Sequence, residues 1–145
     1  MANHLFWRAA AIGLATGARS MTPIAALARS DHSGLQALSS PWGRRLTAVA
    51  ALGEIVTDKL PSTPSRLSPV PFAGRIAIGA LAGHALARGH RASVVVPVLT
   101  AVAASVAASY AGAAWRASAA RRDLAVPAAI AEDGAAVLLA DAAVH

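Results

Sequence analysis

Residues 92–115 form a run of 24 positions without a Lys, Arg, Asp or Glu. A helix that crosses a bilayer needs about 20 predominantly apolar residues. A soluble helix of that length carries a polar face, and this run has none. Arg91 precedes it, and Trp115 with Arg116 closes it, the flanking expected where a span meets the membrane interface. The segment therefore excludes a soluble alanine-rich bundle and predicts a membrane protein.

Composition agrees. Charged residues are 14% of the chain, against about 25% in soluble domains. The 40 alanines suit close helix packing and argue against β-structure. There is no cysteine, which excludes disulfides, thiol catalysis and zinc–thiolate sites. The net charge of +6 is distributed along the connections, as membrane topology requires, and gives no support to nucleic-acid binding.

Four further apolar tracts join the first. Residues 5–28 are interrupted by Arg19-Ser20-Met21-Thr22-Pro23; residues 46–56 are too few to cross alone; residues 72–87 contain Arg75 and His84; residues 124–144 carry Glu132, Asp133 and Asp141. Four of the eight prolines lie in 60–71, which rules out a continuous helix there. Residues 29–45 and 116–123 read as polar connections. At the N-terminus, bulky Leu5-Phe6-Trp7 lie on the wrong side of Arg8 for a cleaved signal peptide. The expected architecture is one all-α domain over 1–145, a polytopic integral membrane protein of four to five hydrophobic helices. Broken or re-entrant segments are expected near 19–23 and 57–66.

Basic residues test the topology. With every tract a simple span, Lys and Arg divide six against five. If residues 46–69 enter and return on one side, Arg29, Arg44, Arg45, Arg116, Arg121 and Arg122 share a face against Arg8, Arg88 and Arg91. That arrangement obeys the positive-inside rule and leaves both termini outside; dual topology is the alternative.

Ser20-Met21-Thr22-Pro23 and Ser62-Thr63-Pro64 each set a hydroxyl directly before a proline. Ser and Thr are favoured N-caps and proline a favoured first helical residue, so each segment reads as the start of a half-helix. Inside a membrane, broken backbone must be buried in protein or line a cavity. A half-helix N-terminus offers unpaired N–H groups and a positive dipole end to an anion. Arg19, Ser20, Thr22, Lys59, Thr63 and Arg66 are thus the candidate binding residues for a phosphate or carboxylate. The bland counterpart is that both motifs only cap or kink a helix at the water boundary.

Glu54 and Asp58 lie four apart on one helical face, and Glu132-Asp133 fall within the last tract. A charge at the bilayer centre costs about 3 kcal/mol on insertion scales, so these need partners. With Arg75, they make a set of four cations (Arg19, Lys59, Arg66, Arg75) against four anions (Glu54, Asp58, Glu132, Asp133). It reads either as an ion-paired scaffold or as a binding site whose carboxylates position the cations or exchange a proton or cation. Gly13/Gly17, Gly79/Gly83 and Ala103/Ala107/Ala111 have small-residue packing spacing. Arg75 shares a face with Gly79 and Gly83, so it should turn towards a partner helix. The five histidines lack metal-ligand spacing, His84 reads as a packed polar residue, and neither a metal nor another cofactor is expected.

Gly17-Ala18-Arg19-Ser20-Met21-Thr22-Pro23, the run from Gly53 through Glu54, Asp58 and Lys59 to Pro61, and Thr63-Pro64-Ser65-Arg66 resemble a small bacterial membrane-protein family, catalogued as domain of unknown function 4126. Gly74-Arg75, the Gly79–Gly83 segment and Glu132-Asp133 fit the same pattern. The resemblance covers nearly the whole chain. It implies a multi-spanning bacterial inner-membrane protein and brings no established activity. Separately, Arg19-Ser20-Met21-Thr22 is similar to the Ser-Arg-Ser-x-x-Thr element of integral-membrane undecaprenyl pyrophosphate phosphatases. Here Ala18 replaces the first serine and the threonine is one residue closer.

Three functions follow as expectations. The first is a transporter-like or lipid-handling protein binding an anionic lipid or small anionic solute at the broken helices. The second is a lipid-phosphate phosphatase with Ser20 as nucleophile and Glu54 as base. The third is a structural subunit with an ion-paired core. A non-enzymatic role is preferred. Membrane lipids are the expected partners, and a homodimer is favoured because 145 residues enclose little by themselves.

Overall fold

In the computed structural model, residues 2–30, 34–57 and 67–145 are described. Helices are α1 (Ala2–Ala18), α2 (Met21–Arg29), a single turn α3 (Gln36–Ser39), α4 (Pro41–Thr57), α5 (Pro69–Gly89), α6 (Val95–Ala120) and α7 (Ala125–Val144). No strand occurs among the described residues. Of these helices, α5 and α6 are long and apolar enough to cross a membrane, with mean hydropathies of 1.3 and 1.7 over their best windows.

Small residues decide how the helices stack. A Cβ on Gly13 of α1 would strike the Ala101 carbonyl oxygen of α6, and one on Gly17 would lie 2.5 Å from the Ser105 carbonyl oxygen. The same face of α6 receives α5. A Cβ on Gly83 would stand 2.7 Å from the Pro97 carbonyl, and one on Gly79 3.2 Å from Ser105 Cβ. Both glycine pairs therefore pack within the chain. The order of contacts makes α1 and α6 parallel and α5 antiparallel to both. The inner stripe of α6 is Pro97, Ala101, Ser105 and Ser109, all buried. Ala103, Ala107 and Ala111, expected as a packing face within the chain or between copies, point outwards from it. Where small residues occupy every face of a helix, spacing alone does not say which face is used.

Buried hydroxyls fit this apolar stacking because backbone carbonyls of their own or a neighbouring helix satisfy them. Thr16 Oγ1 donates to the Ile12 carbonyl at 2.7 Å, Ser109 to Ser105 at 2.8 Å, and Ser105 to the Arg75 carbonyl at 3.3 Å.

Helix α2 turns back on α1. Ile24 and Leu27 share a core cluster with Ala9, Ile12, Leu86, Ala143 and Val144, and Gly34 (φ 60°) packs against Arg88 and Gly89. A Cβ there would also collide with the Ala85 carbonyl, so position 34 requires glycine in both conformation and space. The chain thus reverses at Arg19-Ser20, within the 19–23 segment where a break is expected. This corrects the topology expected from charge, which put the re-entry at 46–69. Arg29, Arg44 and Arg45 lie at the end that holds Arg8, Arg88 and Arg91, not with Arg116, Arg121 and Arg122. Helix α4 also starts earlier than expected, at Pro41 inside the assumed polar connection. Proline suits a first helical position, and the Ser40 hydroxyl accepts the Gly43 N–H at 3.0 Å as a cap.

Both corners flanking α6 are built alike. Ala92 N–H reaches back to the Ala87 carbonyl at 2.9 Å, and Leu124 N–H to the Ala119 carbonyl at 2.9 Å. Arg91 (φ 52°) and Asp123 (φ 58°) occupy the left-handed position in each turn. These are Schellman closures, in which glycine is the usual residue.

Candidate functional site

The chain breaks at Arg19-Ser20 between α1 and α2, and α4, α5 and α7 converge there. Ordinary helical bonding would send the Ser20 and Met21 N–H groups to the carbonyls of Thr16 and Gly17. They go instead to Glu54 of α4, with Ser20 N 2.7 Å from Oε1 and Met21 N 2.8 Å from Oε2. The carbonyls of Thr16 and Gly17 accept from Nη1 of Arg75 on α5, at 3.5 and 2.5 Å. A carboxylate therefore sits at the positive end of α2 and a guanidinium at the negative end of α1. Each charge complements the dipole end it faces.

Arg19 is the largest fully buried side chain. Its Nε donates to Asp133 Oδ1 of α7 at 2.7 Å, and its Nη2 donates to the same oxygen. The neighbouring Glu132 turns to α6, where Oε2 accepts from Arg116 Nε at 2.8 Å. Successive helical residues point about 100° apart, so two adjacent acids tie α7 to two different elements. Among the described residues, three cations (Arg19, Arg75, Arg116) and three anions (Glu54, Glu132, Asp133) thus form a charged layer around the break, with Arg116 joined to it through the adjacent acids Glu132 and Asp133. Charge-assisted bonds of this kind are what allow ionised groups to be buried.

Of the expected site, the structure brings together Arg19, Ser20, Glu54, Arg75, Glu132 and Asp133. Thr22 is buried as the second residue of α2. Asp58, Lys59, Thr63 and Arg66, with the Ser62-Thr63-Pro64 motif, lie outside the described residues. The capping expected at Thr22-Pro23 takes another form. Ser20 is the N-cap, its side chain makes no cap bond, Pro23 is the third helical residue, and Glu54 supplies the cap from a different helix. Arg75 faces α1 with Gly79 and Gly83 on its own buried side, as its spacing implied.

Two functional-looking residues escaped the sequence. Arg116 reads as an interfacial anchor beside Trp115, yet it belongs to the charged layer. Arg8 reads as a loop cation, yet it is buried at the far end of α1. Its Nη1 donates to His90 Nε2 at 3.0 Å, and its Nη2 to the His145 carbonyl. A guanidinium has no acceptor, so His90 Nε2 carries the lone pair. No local signal marks either pairing, because the partners lie 82 and 137 residues away. Among the described residues, no three of His, Asp and Glu are placed to hold a metal.

No family model matches the chain, and no curated protein or solved structure is significantly similar to it.

Proposed function

We propose that this chain is a multi-spanning helical protein of the bacterial inner membrane, belonging to the unknown-function family its motifs resemble. In this reading it is transporter-like or lipid-handling and holds an anionic group, carboxylate or phosphate, at the turn between α1 and α2. Membrane residence is supported by α6, whose most apolar window is only 22% buried. Its outer face carries Val95, Val96, Leu99, Tyr110 and Trp115 without a compensating charge, and α4 and α7 expose Leu46, Val49, Ile130 and Leu138. Water would leave that surface unsolvated; acyl chains would not.

The observation that carries the anion reading is Glu54. Its carboxylate already lies across two backbone N–H groups at a half-helix N-terminus, next to buried Arg19. An entering anion would exchange with this internal one. Asp133 would keep Arg19 in place, and Ser20 and Thr22 would line the turn. Lys59, Thr63 and Arg66 complete the binding set by sequence, and a homodimer supplies the enclosure that few helices give alone.

Native mass spectrometry of detergent-purified wild type beside Arg19→Ala tests the reading. The expected result is that the variant carries one adduct of phospholipid or polyprenyl-phosphate mass fewer than the wild type. Bare protein in both samples overturns the lipid form of the proposal. Glu54→Ala guards against misfolding of the first variant: added acetate or phosphate should restore its thermal stability saturably if the turn accepts free anions.

A second reading, a structural subunit with an ion-paired core, is favoured by the pairing of every member of the charged layer within the chain. It expects single charge removals to lower yield and stability together, with no ligand found. The phosphatase reading draws less from the geometry, since both Glu54 oxygens are engaged by backbone N–H groups in the manner of a cap. Phosphate release that disappears in Ser20→Ala would revive it.

A further inference from the structure

We infer that the groove between α2, α4 and α7 is a binding site for one acyl chain of an anionic phospholipid whose phosphate rests on Arg29. Helix α2 is the floor, with Thr22, Ala25 and Arg29 on one line. Ala51 and Ile55 of α4 and Val137 of α7 form the walls, around a cavity of about 220 Å³. Its length along α2, seven helical rises from Thr22 to Arg29, is about 10 Å, which suits a stretch of chain rather than a compact solute.

Three observations select this occupant. The lining is apolar except at its two ends, where Thr22 marks the deep end and Arg29 the mouth. The outer faces flanking it are apolar too, with Leu46, Val49, Leu52 and Leu138 more than half exposed, so the groove opens towards hydrocarbon. At the mouth the charge is positive: Arg29 is exposed, its Nε donates to the Ala25 carbonyl at 3.3 Å, and Arg44 and Arg45 lie one turn before Ala48, which also lines the groove. A basic cluster at headgroup depth above an apolar slot is complementary to a phosphate bearing a chain.

The inference rests on the membrane reading and not on the anion reading of Arg19. Recovery of the chain in alkali-washed membranes tests the former separately. The site itself is tested by native mass spectrometry of the full chain in detergent with equimolar phosphatidylglycerol and phosphatidylcholine of identical chains. Wild type should retain phosphatidylglycerol over phosphatidylcholine by about fivefold, the discrimination expected of one basic residue at an anionic surface. Arg29→Gln should bring that ratio towards unity, and Ala51→Phe should remove both adducts by filling the groove. Arg122→Gln, at the opposite end, should leave the wild-type ratio intact. Adducts that persist unchanged in Arg29→Gln and Ala51→Phe, or a ratio that falls equally in Arg122→Gln, would overturn the site.

Discussion

Glu54 and Arg75, on different helices and of opposite charge, occupy the two sides of the same two missing helical bonds between α1 and α2. The donors face the carboxylate and the acceptors face the guanidinium. The break is held open by an ion pair split across it.

Glu54→Gln keeps an oxygen for one N–H and loses the charge at the helix end, and should cost about 1–2 kcal/mol. Glu54→Ala leaves two buried donors at the start of α2, at about 1–3 kcal/mol for each group left unpaired. Equilibrium unfolding in mixed micelles should rank wild type above Gln above Ala. Equal stability of the three proteins would mean that water replaces the carboxylate at no cost.

Arg19 and Asp133 should show the asymmetry of a buried pair. Either Arg19→Met or Asp133→Leu alone strands a charge and should cost about 3–5 kcal/mol, whereas the double variant should recover most of that loss. Additive losses in the double variant would argue that each residue has a separate role.

The glycines divide into two classes. At Gly53, Gly74 and Gly134 nothing lies within 4 Å of an added Cβ, so alanine there should stabilise by about 0.5–1 kcal/mol through helix propensity. At Gly13 and Gly17 the same change meets α6 backbone and should destabilise by about 1–3 kcal/mol. Thermal melting of single variants in one detergent separates the classes, and a destabilising Gly134→Ala would contradict the assignment.

Arg91→Gly should raise stability by about 1 kcal/mol, because a left-handed backbone strains any residue with a Cβ. Asp123→Gly should gain less, since aspartate tolerates that region better. Both can be read from melting temperature. A loss in Arg91→Gly would reveal a contact of the arginine side chain that outweighs the strain.

Helix existence was legible because long apolar runs and proline clusters punctuate the chain. The extent of α7 matches its tract to one residue, and the interruption of the first tract falls where Arg19-Ser20 stands. The orientation of the helices was not legible. In α6, alanine occupies inner and outer faces alike, so Ala101 and Ala103 are equivalent in composition and opposite in environment. The break at 19–23 was expected, but the ends to which the basic residues belong were not legible for a related reason: counting them assigns ends only after the number of crossings is known. Within the site, residue types were readable from the expense of burying charge. Their pairing was not, because Arg19 and Asp133 are 114 residues apart and no periodicity links them.

Helix α6 touches two neighbours through one residue. Gly13 of α1 and Gly83 of α5 both close on Ala101, so bulk added on either side pushes the same short stretch of backbone. The two glycines are therefore energetically coupled through α6: once it has shifted to admit one methyl, the second meets a different surface. Substitutions at 13, 83 and 101 would then be inherited as a set, and the effect of each would depend on which of the others came first.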